Sequence, residues 1–260
     1  MTKRKPVGND ELTTFGKHFE GYENSYILIG GVATKLLLDE VGTFSRSTKD
    51  LDIVLCVETL TSKFVERFWT FVKEGEYETW RKADGERCFY RFERPNKDGY
   101  PAMLELLGDK SNRFESTNQV VLPLFLDDEI ISLSAIMMNQ DYYQFLMNHK
   151  KIIKGVMIAD EFALIALKIR AFLDLSDRKL KGEFVKQEDI KKHRNDVFRL
   201  AQLLSSKVIN HVPYIIKNDV YNFFELVVDD YEILEVINKG AMNMKDLREL
   251  LSVVFALELK

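Results

Sequence analysis

The pattern of apolar and polar residues is most informative between residues 25 and 57, where it predicts a strand, a helix and a second strand. The first apolar segment ends in a Gly-Gly pair, and a short helix and a polar loop follow it. The second strand opens with Asp50 and Asp52. Because side chains alternate along a strand, the two aspartates should project from one face while Leu51 turns into the core.

Two features of this stretch indicate a site for a metal ion and a phosphate group. Adjacent carboxylates such as those of Asp50 and Asp52 repel each other unless a cation lies between them, and Mg²⁺ is the usual cation for such a pair. Gly30 and Gly31 allow a tight turn and a close approach of the backbone to a ligand. A helix that starts near Val32 would present free N–H groups and the positive end of its dipole to a phosphate.

The remaining pattern divides the chain into a strand-rich part and a helix-rich part. The first part has helices beginning at Asn9 or Asp10 and at Thr59 or Thr61, strands at 88–94, 102–109, 120–126 and 129–137, and a last strand or extended segment at 150–159. From Asp160 onward the periodicity is helical. We therefore predict an α+β protein in which residues 1–155 form a mixed sheet flanked by helices and residues 156–260 form a helical bundle.

Composition and charge narrow the class of protein. The chain has 260 residues, 46% of them hydrophobic, which suffices for a core. No apolar run approaches the roughly 18 residues of a membrane helix, and the basic N-terminus lacks the apolar segment of a secretory signal. Cys56 and Cys88 have no metal-ligand spacing, so we expect buried thiols in a reducing, cytoplasmic compartment. The net charge of −4 does not indicate a nucleic-acid binder unless a basic patch exists locally.

The order of these motifs resembles the nucleotidyltransferase superfamily that includes DNA polymerase beta. In that superfamily a strand ends in Gly-Gly or Gly-Ser, a helix follows, and the next strand carries Asp-x-Asp or Asp-x-Glu. The run RSTKDLDIV, from Arg46 to Val54, is similar more specifically to AbiEii-type nucleotidyltransferases, known mainly as toxins of toxin–antitoxin pairs. The resemblance implies that residues 1–155 have the nucleotidyltransferase fold.

The resemblance also implies the residues of a site. Asp50 and Asp52 would be catalytic and would bind one or two Mg²⁺ ions, and Gly30 and Gly31 would bind the nucleotide. Such a fold takes a third carboxylate from a neighbouring strand, and Glu105, inside an otherwise apolar segment, is the candidate. The alternative is that Glu105 faces solvent between buried neighbours. 

Arg46 has two open interpretations. It neutralises phosphate charge as part of the nucleotide site, or it pairs with Asp50 and only supports the fold. Both uses are common for an arginine beside carboxylates and phosphates.

The helical half contributes two more candidates through the resemblance. Lys168 lies in the apolar segment ALKIRAF, where the family places a lysine that faces the triphosphate. The alternative is a lysine whose stem packs on the core while its ammonium group reaches water. Asp196, in KKHRNDVFRL, is our choice for the aspartate of the later family motif, with Asp189 as the other possibility.

These expectations together predict an enzyme, a nucleotidyltransferase of the EC 2.7.7 type. It would transfer a nucleotide from an NTP, GTP or ATP, to an acceptor. The family implies RNA or tRNA as the acceptor and an antitoxin protein as a partner. The alternatives are a small-molecule or protein hydroxyl as acceptor, and a non-catalytic nucleotide-binding module with the same fold.

Overall fold

The computed structural model describes residues 7–43, 48–81, 87–107, 139–205, 208–227 and 243–257. These residues form an α+β protein with a mixed sheet, as the sequence predicts. The strands are β1 (Tyr26–Ile29), β2 (Asp50–Leu55), β3 (Glu78–Arg81), β4 (Arg87–Glu93), β5 (Met103–Leu107), β6 (Lys150–Ile153) and β7 (Val156–Ala159). The helices are α1 (Asn9–His18), α2 (Gly30–Glu40), α3 (Ser62–Glu74), α4 (Gln140–Asn148), α5 (Glu161–Leu180), α6 (Gln187–Ala201), α7 (Tyr214–Val227) and α8 (Met244–Val254).

The described strands form one seven-stranded sheet with the order β3-β4-β5-β2-β1-β7-β6. β1 and β2 are antiparallel neighbours, whereas β2 and β5 are parallel. On its other side, β1 pairs in parallel with β7. The strands that carry the candidate carboxylates therefore lie in the middle of the sheet, beside the strand that leads to the Gly-Gly pair.

The segment 150–159 is a hairpin, and the expectation of a single strand or extended segment was wrong. β6 and β7 pair antiparallel around Lys154 and Gly155, whose φ angles are 50° and 78°. Positive φ at two consecutive residues is typical of the tightest hairpin turns. The apolar residues on both sides of this turn make one nearly continuous run, which hides the turn in the hydrophobic pattern.

Two helices of the first half begin where local chemistry favours a start. In α3, Oγ1 of Thr61 accepts a hydrogen bond from the backbone N–H of Phe64 at 3.2 Å, so Thr61 and not Thr59 is the cap. α2 begins at Gly30, two residues before the expected start at Val32. The two glycines therefore belong to the first helical turn, where backbone N–H groups have no partner within the helix.

The helix that carries Lys168 starts directly after β7. The carboxylate of Asp160 accepts a hydrogen bond from the N–H of Ala163 at 2.9 Å and caps α5. α5 packs against α6 and α7, and α2 packs against both α5 and α6. One cluster of buried residues extends from Val7 to Phe255. The division of the chain at residue 155 remains a prediction, and the packing of α2 brings the Gly-Gly pair toward the helices of the second half.

Some expectations fall on parts of the chain outside the described residues. These are Arg46 and the strands expected at 120–126 and 129–137. Among the helices that the structure describes, none combines the length and the apolar character needed to cross a membrane.

Candidate functional site

The Gly-Gly pair and the second aspartate lie in direct contact. Gly30 has φ of +67°, and a Cβ atom built on it would overlap Oδ2 of Asp52 and lie 2.9 Å from its Cγ. The register explains the contact, because Ile29, at the end of β1, is paired with Asp52 on β2. Glycine at position 30 therefore meets two requirements, a left-handed backbone and space for a carboxylate.

We expect Gly30→Ala to destabilise the protein by roughly 2–3 kcal/mol, because it adds steric overlap to the strain of a positive φ. Gly42→Ala is the matched control. Gly42 has φ of +69°, but among the described residues no neighbouring atom lies within 4 Å of its added Cβ. Urea denaturation of the three proteins measures the difference between the two substitutions, which isolates the overlap with Asp52. Equal losses of stability in the two variants would contradict the close approach.

The start of α2 faces Thr48, the residue two positions before Asp50. A Cβ atom at Gly31 would lie 2.6 Å from Oγ1 of Thr48. The carbonyl oxygen of Thr48 accepts a hydrogen bond from the N–H of Val7 at 2.7 Å, which holds the chain in place before β2 begins. A hydroxyl group and the free N–H groups of a helix start thus lie side by side, the arrangement that binds phosphate oxygens.

The three candidate carboxylates lie on one face of the sheet. Asp50 and Asp52 are partly exposed, whereas Leu51 between them is fully buried, so the alternation expected from the sequence is present. On the neighbouring strand β5, Glu105 lies directly opposite Asp52. Leu104 and Leu106 on either side of Glu105 are buried. Residues in register on adjacent strands project to the same side, so Glu105 joins the aspartates.

The crowding of these carboxylates changes the acidity of the central one. Burial, together with the negative charges of Glu105 and Asp50, raises the pKa of the Asp52 carboxyl to about 7. The positive charges of Lys168 and Lys192 act in the opposite direction. A carboxyl with a pKa near neutrality, in a group of like charges, is typical of functional sites and of sites that bind cations.

The donor atoms at this site suit Mg²⁺, which often binds one or two carboxylates and completes its shell with water and substrate phosphates. Asp50 and Asp52 supply the two carboxylates. Glu105 is engaged elsewhere, since its Oε1 accepts a hydrogen bond from Nη2 of Arg91 at 2.7 Å. In the described part of the chain, no three side chains of His, Cys, Asp or Glu converge on a point where they hold a metal ion together.

The alternative interpretation required the ammonium group of Lys168 to reach water, and this is not observed. The residue is 4% exposed, and its Nζ donates to Oδ2 of Asp196 at 2.9 Å. Oδ1 of Asp196 accepts from Nη1 of Arg199 at 3.2 Å. The ammonium group of Lys168 is also close enough to Asp52 to lower its pKa. The structure thus brings the lysine of the second half to the carboxylates of the first.

Asp196 and Asp189 have different surroundings. Asp196 is 1% exposed and pairs with Lys168. Asp189 is exposed in the first turn of α6. Of the two candidates for the motif aspartate, Asp196 is therefore the one that contacts Lys168.

Sequence reasoning missed Lys192 as a site residue. Its positive charge acts on Asp52 together with that of Lys168. Lys192 lies one turn before Asp196 on α6, so the two residues share a face of that helix. The four-residue spacing between Lys192 and Asp196 was the sequence feature that could have identified Lys192. It was obscured because Lys192 belongs to a run of basic residues that is equally typical of a solvated helix surface.

A concave region is lined by residues other than those of this site. It is an open groove of about 440 Å³ between α5 and α7, lined by residues such as Arg170, Asp174, Leu180, Asp219 and Glu225. None of the candidate site residues lines it. The groove therefore does not bear on the chemistry of the carboxylates.

Comparisons of the chain with models of protein families, with curated proteins and with solved structures find no match. The case for a function therefore rests on the geometry above and on the motif resemblance.

Proposed function

We propose that this protein is a Mg²⁺-dependent nucleotidyltransferase with a nucleotidyltransferase fold followed by a helical bundle. The observation that carries the proposal is the contact between Gly30, at the start of α2, and the carboxylate of Asp52. The contact supports the proposal because helix starts of this kind suit phosphate and adjacent carboxylates suit a cation. The antiparallel pairing of β1 with β2 and the position of Glu105 opposite Asp52 support the same proposal.

The residues of the first half would bind the triphosphate and the metal. The N–H groups of Gly30 and Gly31 and the Thr48 hydroxyl donate hydrogen bonds to phosphate oxygens. Asp50 and Asp52 would hold Mg²⁺, which would supply charge neutralisation for the triphosphate. The acceptor hydroxyl would attack the α-phosphorus, its proton would pass to one of the carboxylates of Asp50, Asp52 and Glu105, and pyrophosphate would leave.

The residues of the second half would complete the charge balance. Lys168 and Lys192 bring two positive charges to the side of Asp52. A lysine is a compact charge that suits phosphate oxygens. Asp196 is a positioning residue, because its hydrogen bond fixes where the Lys168 ammonium group lies.

The acceptor that we propose is RNA, with tRNA as the main candidate, and the biological role is that of a toxin controlled by an antitoxin protein. Both rest on the resemblance of RSTKDLDIV to AbiEii-type proteins. The NTP is GTP or ATP.

The direct test is incubation with each α-³²P-labelled NTP, Mg²⁺ and total RNA. We expect label from one purine nucleotide to appear in an RNA band, and EDTA to abolish it. Label on a small molecule or on protein would assign a different acceptor. Nucleotide binding without transfer to any of these acceptors would show a non-catalytic binding module and overturn the proposal.

A further inference from the structure

We propose that Arg91 is a positioning residue that restrains Glu105 and disfavours a divalent cation at the carboxylates until a nucleotide arrives with it. The inference rests on the proposed function and adds to it a dependence of metal binding on the nucleotide. It concerns a residue that neither the motif pattern nor the resemblance selects.

The backbone register builds this contact. Arg91 on β4 lies opposite Glu105 on β5, and Glu105 lies opposite Asp52 on β2. The three side chains form a row across three strands on one face of the sheet. Nη2 of Arg91 donates to Oε1 of Glu105 at 2.7 Å, and the two side chains are 31% and 20% exposed. A charge-assisted bond of this length between partly buried groups is stronger than a neutral one.

The charges around the carboxylates explain why the metal would bind together with the nucleotide and not before it. Without a metal, the carboxylates of Asp50, Asp52 and Glu105 lie near three cations. Arg91 pairs with Glu105, Lys168 pairs with Asp196, and Lys192 acts on Asp52. A free divalent cation that enters this group meets repulsion from these cations. A metal–triphosphate complex carries net negative charge, so the same cations attract it. Arg91 therefore opposes the free metal and favours the metal bound to NTP.

The hydrogen bond of Glu105 to Arg91 is a second reason to expect weak binding of the free metal ion. Its Oε1 is occupied by Arg91, and within the described residues the carboxylates do not converge as a set of three metal ligands. Coordination of a metal through Oε1 of Glu105 competes with its hydrogen bond to Arg91. The released guanidinium would then be available to phosphate oxygens, whose geometry it matches.

Arg94 provides a matched control. It follows β4 directly and pairs with Glu78 at 3.3 Å and with Glu93 at 3.9 Å, and its side chain is 65% exposed. Neither glutamate is one of the candidate metal ligands. Arg94→Met removes the same charge and side-chain type as Arg91→Met without touching Glu105.

The test measures binding of Mn²⁺, a cation that uses the same oxygen ligands as Mg²⁺, by the electron paramagnetic resonance signal of the free ion. Without nucleotide, we expect Arg91→Met and Arg91→Gln to bind Mn²⁺ about tenfold more tightly than wild type, because a repelling charge is gone. Arg91→Lys, which keeps the charge, and Arg94→Met should bind as wild type does. With α,β-methylene ATP or GTP present, the advantage of Arg91→Met should disappear.

A double variant shows whether the effect passes through Glu105. In a Glu105→Gln background, Arg91→Met should change the Mn²⁺ affinity by less than in wild type, because the restrained ligand is already lost. Circular dichroism spectra establish that each variant is folded. If one of the two neutral substitutions at position 91 prevents folding, the other is used in its place.

The outcomes separate this inference from the proposed function. If wild type binds Mn²⁺ and both neutral variants at position 91 bind it equally well, the proposed role of Arg91 is wrong. The proposed metal site is not affected by that result. Weaker binding in those variants also overturns the role of Arg91, since the arginine would then help Glu105 to bind. Absence of Mn²⁺ binding in every protein, with and without nucleotide, overturns the metal site and this inference together.

Discussion

Asp50→Asn and Asp52→Asn should each reduce nucleotide transfer by about 10³-fold or more, since each removes a proposed metal ligand, and such a ligand is worth several kcal/mol in the transition state. Neither substitution should unfold the protein, because each relieves repulsion among carboxylates on one sheet face. Asp39→Asn is the control, as Asp39 lies on α2 in an ion pair with Lys35 outside the carboxylate row. Transfer rates of the four proteins are compared under saturating Mg²⁺ and NTP. Full activity in both site variants would refute the assignment.

The same substitution at position 52 should change how stability depends on pH. The pKa of Asp52 is raised to about 7 in the folded protein, whereas an unfolded aspartate titrates near 4. Between these values the folded state holds a proton that the unfolded state has released, so stability falls as pH rises through this window. Asp52→Asn removes the titrating group. Its Tm at pH 8 should exceed that of wild type by at least about 2–4 °C, the shift for each kcal/mol of stability at this chain length, with a smaller difference at pH 5.

The second large effect concerns the buried ion pair of the helical half. Lys168→Ala should lower the free energy of unfolding by about 3 kcal/mol, because it leaves a buried carboxylate with one partner fewer. Arg199 still contacts Asp196 at 3.2 Å, which keeps the loss at the lower end of the range for such pairs. Asp196→Ala should cost at least as much, since it removes the partner of two cations.

A double variant separates the stabilising role of this pair from its role at the nucleotide. Replacing both partners with apolar residues, Lys168→Met and Asp196→Leu, should recover most of the stability, to within about 1 kcal/mol of wild type. Nucleotide affinity should stay at least tenfold weaker, because the charge near Asp52 is absent. Urea denaturation gives the first quantity and calorimetric titration with α,β-methylene ATP and GTP the second. Restored nucleotide binding in the double variant would reduce Lys168 to a scaffold residue.

Local signals in the sequence were sufficient for the elements around the carboxylates. The alternation of Asp50, Leu51 and Asp52 predicted their faces. Helix starts were predicted at Thr59 or Thr61, of which the structure selects Thr61, and at Asp160. Each of these features depends on a few adjacent residues. The position of Glu105 beside Asp52 followed from the superfamily pattern, and the parallel register of β2 and β5 agrees with it.

Contacts between distant segments were beyond the reach of the sequence pattern. The approach of Arg91 to Glu105 depends on the register of β4 with β5, and the charge of Lys192 acts on Asp52 in a fold where α2 packs on α6. Neither relation leaves a periodic signal. The hairpin turn at Lys154 and Gly155 was missed for a local reason, because strongly apolar residues flank it on both sides.

The parallel pairing of β1 with β7 has a consequence for synthesis on the ribosome. Leu28 is paired with Ile158, which is made 130 residues later. Until then, the strand that leads to Gly30 lacks one of its two neighbours, and a chain cut at residue 155 would retain this exposed edge. The two lysines that act on Asp52 emerge later still, at positions 168 and 192. A nascent or truncated first half should therefore need protection from aggregation, and it should be inert as an enzyme until the helices have joined it.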